Sequence, residues 1–119
     1  MEGENCCMVR QGDIFLTPFP FSDLSSTKKR PVLILSNSKY NGLTEDVIVA
    51  AITSKDMDRE YSVCLSSNDL SEGQLLVDSY IRADKLFTIS QGLLIKKFGA
   101  IKPYKMDEVR EKLFCIFLP

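Results

Sequence analysis

Two short, uninterrupted apolar runs, Val32-Leu33-Ile34-Leu35 and Val47 to Ile52, constrain this chain more than any other feature. Four to six apolar residues in a row, rich in β-branched types, are too short for a buried helix and read as strands covered on both faces. Polar groups suited to gripping a phosphate flank them: Arg30-Pro31 precedes the first run and Thr53-Ser54 follows the second. If the two strands are antiparallel neighbours, the start of one lies beside the end of the other. Arg30 and Thr53 then meet at one rim of a sheet.

The rest of the chain supplies further strands. Gly12 can take an unusual backbone angle and leads into a strand from Asp13 to Phe19. Pro18 and Pro20 cannot donate to a ladder, so residues 17–21 should lie at an edge or leave the sheet. Residues 22–29 are turn formers with little to bury, hence an exposed, mobile loop. Asn41-Gly42 predicts a turn within a loop over 36–44. A strand is expected over 61–65, and a polar connection with a turn of helix over 66–73. Residues 75–77 and 79–81 read as one extended segment, and 83–89 and 97–101 as weaker strand candidates. Residues 92–98 also fit a short helix capped by Gly99. Met106, Val109, Leu113, Ile116 and Phe117 trace one face of a terminal helix, with Asp107 and Glu108 expected in its first turn, closing the core or helping to form a dimer. The sum is a mainly β chain with a small α addition: a small antiparallel barrel or sandwich with a C-terminal helix.

Composition narrows the function. A chain of 119 residues holds one domain, expected over 8–119, with 1–7 as a disordered lead-in. The 45% hydrophobic and 26% charged content rules out wholesale disorder. No apolar run reaches a bilayer-spanning length and no signal-peptide pattern opens the chain, so a cytoplasmic location without membrane attachment is expected. Cys6 and Cys7 sit in the polar lead-in, whereas Cys64 and Cys115 fall in apolar runs where a small hydrophobe would pack, so reduced structural thiols are expected and no metal spacing emerges. The absence of histidine removes the usual general base and the commonest metal ligand. With a net charge of −1 and a pI near 5.4, nucleic-acid binding would need a local patch. Lys28-Lys29-Arg30 and Lys55 with Arg59 are the candidates, while Lys96, Lys97, Lys102 and Lys105 read as solvated surface.

Four segments in order, Gly12-Asp13-Ile14, Phe19-Pro20-Phe21 with Asp23, Lys29 to Leu35 and Val49 to Ser54, resemble the MazF/PemK family of toxin endoribonucleases. The stretch from Asp78-Ser79 through Lys85 to Ile89, then Phe98 to Ile101 and the terminal helix, is similar to the second half of that family. The resemblance implies an SH3-like barrel of the CcdB-like toxin type, forming a homodimer. It also implies metal-independent, cofactor-free, sequence-selective cleavage of single-stranded RNA by 2′-hydroxyl attack, leaving a cyclic phosphate and a 5′-hydroxyl, with inhibition by a cognate antitoxin. The family's catalytic arginine and threonine fall on Arg30 and Thr53.

The residue types suit that chemistry. A guanidinium offers a fixed fork of donors for charge gathering on phosphate oxygens, and a hydroxyl can bond the phosphate or hold the 2′-hydroxyl in line. Ser54 could assist Thr53, and Lys28, Lys29 and Lys55 could steer the RNA backbone. Phe19 with Pro20, and Phe21, could stack on bases or pack in the core. Asp13 is expected to bond nearby backbone, with Asp13 or Asp23 as alternative general bases beside water, and Ser79 to support the site or the fold. The other functions open to such a chain are a non-enzymatic toxin of the same fold that binds DNA gyrase and a degenerate member that binds only its antitoxin.

Overall fold

The computed structural model describes residues 9–18, 28–55 and 60–119. The expected lead-in over 1–7, Phe19, Pro20, Phe21, Asp23 and Arg59 lie outside them. Among the described residues, seven strands form one antiparallel sheet: β1 (Asp13–Pro18), β2 (Lys29–Ile34), β3 (Asp46–Thr53), β4 (Ser62–Leu65), β5 (Leu70–Glu72), β6 (Ser79–Ser90) and β7 (Lys96–Ile101), in the order β4-β6-β3-β2-β1-β7-β5. Helix α1 (Ser38–Leu43) joins β2 to β3, and α2 (Pro103–Phe117) closes the chain. The two outermost strands, β4 through Val63 and Leu65 and β5 through Leu70, pack into one cluster with Ile14, Leu33, Ile52 and the helix residues Met106 and Val109. Opposite edges can share a core only if the sheet curls, and it does so into a half-barrel. Breaks of register in β1/β7, β3/β6 and β5/β7 provide the bending.

The two apolar runs are adjacent antiparallel strands, as expected, with Val32 opposite Ala51 and Ile34 opposite Val49. Their continuous hydrophobicity has a cause: alternate residues serve two cores. Leu33, Ala50 and Ile52 face the first, whereas Val32, Ile34, Val47 and Val49 form a second with Val9, covered by Phe15, Phe87, Ile89 and Leu94. Gly12 takes φ +95°, its carbonyl accepting from the Ile101 N–H. Pro18 pairs with Lys29 of β2 although β7 stops opposite Leu16, so its missing N–H costs no ladder bond on that side.

Several expectations are corrected. Residues 36–44 hold helix α1 instead of an Asn-Gly turn. The Asn37 side chain caps it by accepting from the Tyr40 N–H, and buried Asn41 bonds Val9 O, Ser36 O and the Ser36 hydroxyl. Those bonds outweigh the turn preference. Residues 75–77 are not a strand: after Gly73, at φ +83° and pressed against the Phe98 carbonyl, the chain leaves the sheet and exposes Leu76 and Val77 fully or largely. In place of a helix over 92–98 the chain makes a 3-10 turn at Gln91–Leu93 followed by β7. The loop expected to reach Lys29 ends earlier, because β2 begins there. Cys64 points outward from β4 between inward Val63 and Leu65, and Cys115 lies on the exposed side of α2, so neither thiol packs.

Helix α2 begins at Pro103, which leaves Asp107 and Glu108 beyond its first turn. Met106 and Val109 are buried and Leu113 packs on the first core, but Phe117 is 68% exposed, with Phe114 and Leu118 also open. The helix closes the core as far as Leu113, and its last turn leaves Phe117 open. Lys105 is not solvated surface: it is buried against Glu108 at 3.2 Å and Asp69 at 3.7 Å. Lys97 bridges Asp13 and Glu72, each at 3.3 Å.

Candidate functional site

Arg30 and Thr53 each lie two residues beyond the last pair of the β2/β3 ladder, Val32–Ala51, on the side where the same face continues, and both border the same two hollows. Thr17 of β1 faces Arg30, and Tyr80 of β6 faces Thr53, so one cross-strand row reads Thr17, Arg30, Thr53, Tyr80. Cross-strand partners point to the same face, here that of the second core. Its apolar rows thus end in a polar rim. Thr17 is buried and donates its hydroxyl to Leu93 O, tying the rim to the turn before β7. The backbone N–H of Lys55 donates to Thr53 Oγ1 at 3.2 Å. That bond uses a lone pair of the oxygen and leaves the O–H as a donor.

Two adjoining hollows share Arg30, Ile52 and Thr53. One, about 350 Å³, is lined also by Ala51, Arg82, Lys85 and Phe87. The other, about 260 Å³, is lined also by Lys28, Lys29, Pro31, Ser54, Lys55, Val77 and Ser79. Among the described residues, the lining contains six cationic side chains and no carboxylate. In a chain of net charge −1 the described lining is thus a local concentration of positive charge.

Of the residues singled out in the sequence, Arg30, Thr53, Ser54, Lys55, Lys28, Lys29 and Ser79 therefore come together. Ser79 is buried and donates to Val77 O. Asp13 does not join them. It sits at the far end of β1, buried, accepting the Arg10 N–H and pairing with Lys97. This is the backbone-bonding role expected of it, and it removes Asp13 as a general base at the rim. Three charged or aromatic lining residues were not among the site candidates read from the sequence: Arg82, Lys85 and Phe87. Ala51 was the available clue, a small residue inside a β-branched run, because it leaves room on the sheet beside whatever faces it. Arg82 does, and its Nε and Nη2 each donate to Asp84 at 2.9 Å. Those bonds hold the Asp84 carboxyl below its ordinary range against the opposing effect of burial. Among the described residues, no group of three or more acidic or cysteine side chains gathers as a metal site.

Fold and site define a class: small half-barrel β proteins with a C-terminal helix, presenting an arginine and a threonine at a cation-lined rim. The chain belongs to the family of PemK-like, MazF-like toxins of type II toxin-antitoxin systems, whose pattern it matches over residues 10–117. It is 29% identical over 107 residues to an endoribonuclease MazF of Staphylococcus saprophyticus, covering 89% of this chain and 88% of that protein. It is similar in structure to a mycobacterial endoribonuclease solved in complex with its cognate antitoxin, with a TM-score of 0.77, 21% identity, and 93% and 97% of the two chains covered. A MazE–MazF complex from Deinococcus radiodurans gives a TM-score of 0.72, 21% identity, and 93% and 96% coverage. At such identities these structures speak to the fold.

Proposed function

We propose that this protein is a toxin endoribonuclease that cuts single-stranded RNA without a metal ion or other cofactor, sequence-selectively, and is neutralised by a cognate antitoxin. The observation that carries the reading is the juxtaposition of Arg30 and Thr53 on neighbouring strands, between two hollows without a described carboxylate. The substrate 2′-oxygen attacks the adjacent phosphorus, a new 2′-O–P bond forms, and the P–O5′ bond breaks. The 2′-hydroxyl proton passes to a base this reading leaves unassigned, and the departing 5′-oxygen gains a proton to become a hydroxyl. Arg30 lies against the non-bridging oxygens, where its fork meets the charge that grows in the transition state. Thr53 donates its O–H to the same phosphate. Lys28, Lys29 and Lys55 hold flanking phosphates, and Ser54 adds a second hydroxyl.

The protein acts in the cytoplasm as a homodimer in this reading. The exposed Phe114 and Phe117 in the last turns of α2, with Leu118 just after it, supply apolar surface for a second copy. An acidic antitoxin segment would occupy the cationic rim in place of RNA. The test is cleavage of mixed-sequence single-stranded RNA in excess chelator, with product ends identified. Wild type is expected to leave 5′-hydroxyl and 2′,3′-cyclic phosphate ends, with Arg30→Ala and Thr53→Ala each slower by about two to three powers of ten. Folded wild type that cuts nothing, or needs added metal, overturns it.

A further inference from the structure

The hollow above Ala51 owes its shape to an irregularity in β6. Ala50 faces Leu86, but its neighbour Ala51 faces Arg82, so residues 83–85 are extra on β6. In a regular strand Arg82 and Phe87, five residues apart, would point to opposite faces. The three extra residues return both to the rim face, where with Lys85 they line the hollow that Arg30 and Thr53 border. Asp84, inside the same irregularity, grips the Arg82 fork through two of its five N–H groups. The guanidinium plane is fixed, and three donors remain.

The geometry points to this hollow as the seat of the base next to the cut phosphodiester, with Phe87 as the surface it lies against and Arg82 as the group that reads its edge. This rests on the nuclease reading above and specifies its selectivity. A flat apolar face beside fixed donors suits an unstacked base, and single-stranded RNA is read in that way. The lining also dictates which base. Arg30, Arg82 and Lys85 are donors only, and Asp84, the nearby carboxylate, is engaged with Arg82. Among the described side chains of the lining, an exocyclic amino group would find only the Thr53 hydroxyl as an acceptor, which the Lys55 N–H and the phosphate engage, and it would lose its hydrogen bonds to water. Guanine O6 and N7, or the uracil carbonyls, would find donors. The hollow therefore takes a keto base, guanine or uracil, over adenine or cytosine. Asp84 is a positioning residue acting through Arg82.

The experiment maps cut sites on a random-sequence RNA pool for wild type, Arg82→Gln, Asp84→Asn and Phe87→Leu, each checked for folding. Wild type should show a keto base at one position flanking the cut. Arg82→Gln and Asp84→Asn should relax that preference about tenfold, and Phe87→Leu should lower kcat/KM about tenfold with the preference retained. Should Arg82→Gln not fold, Asp84→Asn decides. No keto preference in wild type, or unchanged sites in a folded variant of the Arg82–Asp84 pair, overturns the inference. If wild type cuts no RNA, the nuclease reading fails, and binding of single-base oligodeoxynucleotide octamers judges the base seat by itself. Tighter binding of oligo-dT than of oligo-dA or oligo-dC, lost in Arg82→Gln, upholds it; equal binding or none overturns it.

Discussion

Charge is concentrated in two regions of this protein on opposite principles. Where α2 docks, Lys105 is buried and each neighbouring charge has a partner: Glu108 at 3.2 Å, and Asp69 at 3.7 Å. Asp69 accepts in addition from the Tyr104 hydroxyl at 2.7 Å and the Ser66 N–H at 2.9 Å. At the rim, six cations line two hollows without a described carboxylate among them. Asp84 pairs with one of them, Arg82, from outside the described lining, and in the nuclease reading the excess of positive charge at the rim is what an outside polyanion meets. At the helix, charges satisfied within the fold attract nothing. The difference separates groups that hold the fold from groups that work through it.

Breaking that separation from the helix side gives the largest effect. Lys105→Ala should destabilise the protein by about 3 kcal/mol, since it leaves the enclosed Asp69 without its cation. Denaturant titration would show this, and RNA cleavage per folded molecule should be unchanged. Lost cleavage with full stability would merge the two regions. At the rim the reverse holds. Arg30→Lys keeps the charge but not the fork, and should lower kcat about tenfold, roughly 1.4 kcal/mol of barrier, with stability within about 0.5 kcal/mol of wild type.

The rim was legible in the sequence because the β2/β3 register follows from the apolar runs themselves. With Val32 and Ile34 on one face and Val47 and Val49 on the same face of the next strand, the positions that continue those rows outward are Arg30 and Thr53. Arg82, Lys85 and Phe87 were not legible, because the extra residues 83–85 change the parity of β6 and leave no mark in local periodicity. The helix dock was missed for another reason. Lys105 lies between apolar neighbours on the buried turn of α2, and only tertiary contact with Asp69 distinguishes it from a surface lysine. Helix α1 was missed because its evidence lies in side-chain bonds of Asn37 and Asn41, which compete with the Asn-Gly turn preference.

Acid should sharpen the comparison at the helix. Burial alone raises the Asp69 carboxyl, but the bonds from Tyr104 and Ser66 and the Lys105 charge outweigh it and hold it below its ordinary 3.8. A carboxyl held low in the folded state contributes stability that is present above its unfolded value and is lost as pH falls through the folded one. Asp69→Asn should therefore cost most near neutrality, with the gap to wild type narrowing as pH drops below about 4. A gap constant with pH would mean that Asp69 acts by hydrogen bonding alone.

The smallest effect is expected from lysines that meet RNA only through phosphate. Lys28 and Lys29 are exposed at the start of β2 and line the second hollow, so each should release a counterion when a phosphate docks. Lys28→Ala and Lys29→Ala should each flatten the salt dependence of single-strand binding by about 0.7 in the log–log slope, with no change in cut-site preference. Lys97→Ala supplies the contrast. That lysine is committed to Asp13 and Glu72, so its removal should leave the slope untouched and act on stability instead. Equal slopes for all three variants would place the binding field outside the rim, and cations at the rim would then be no different in kind from those at the helix.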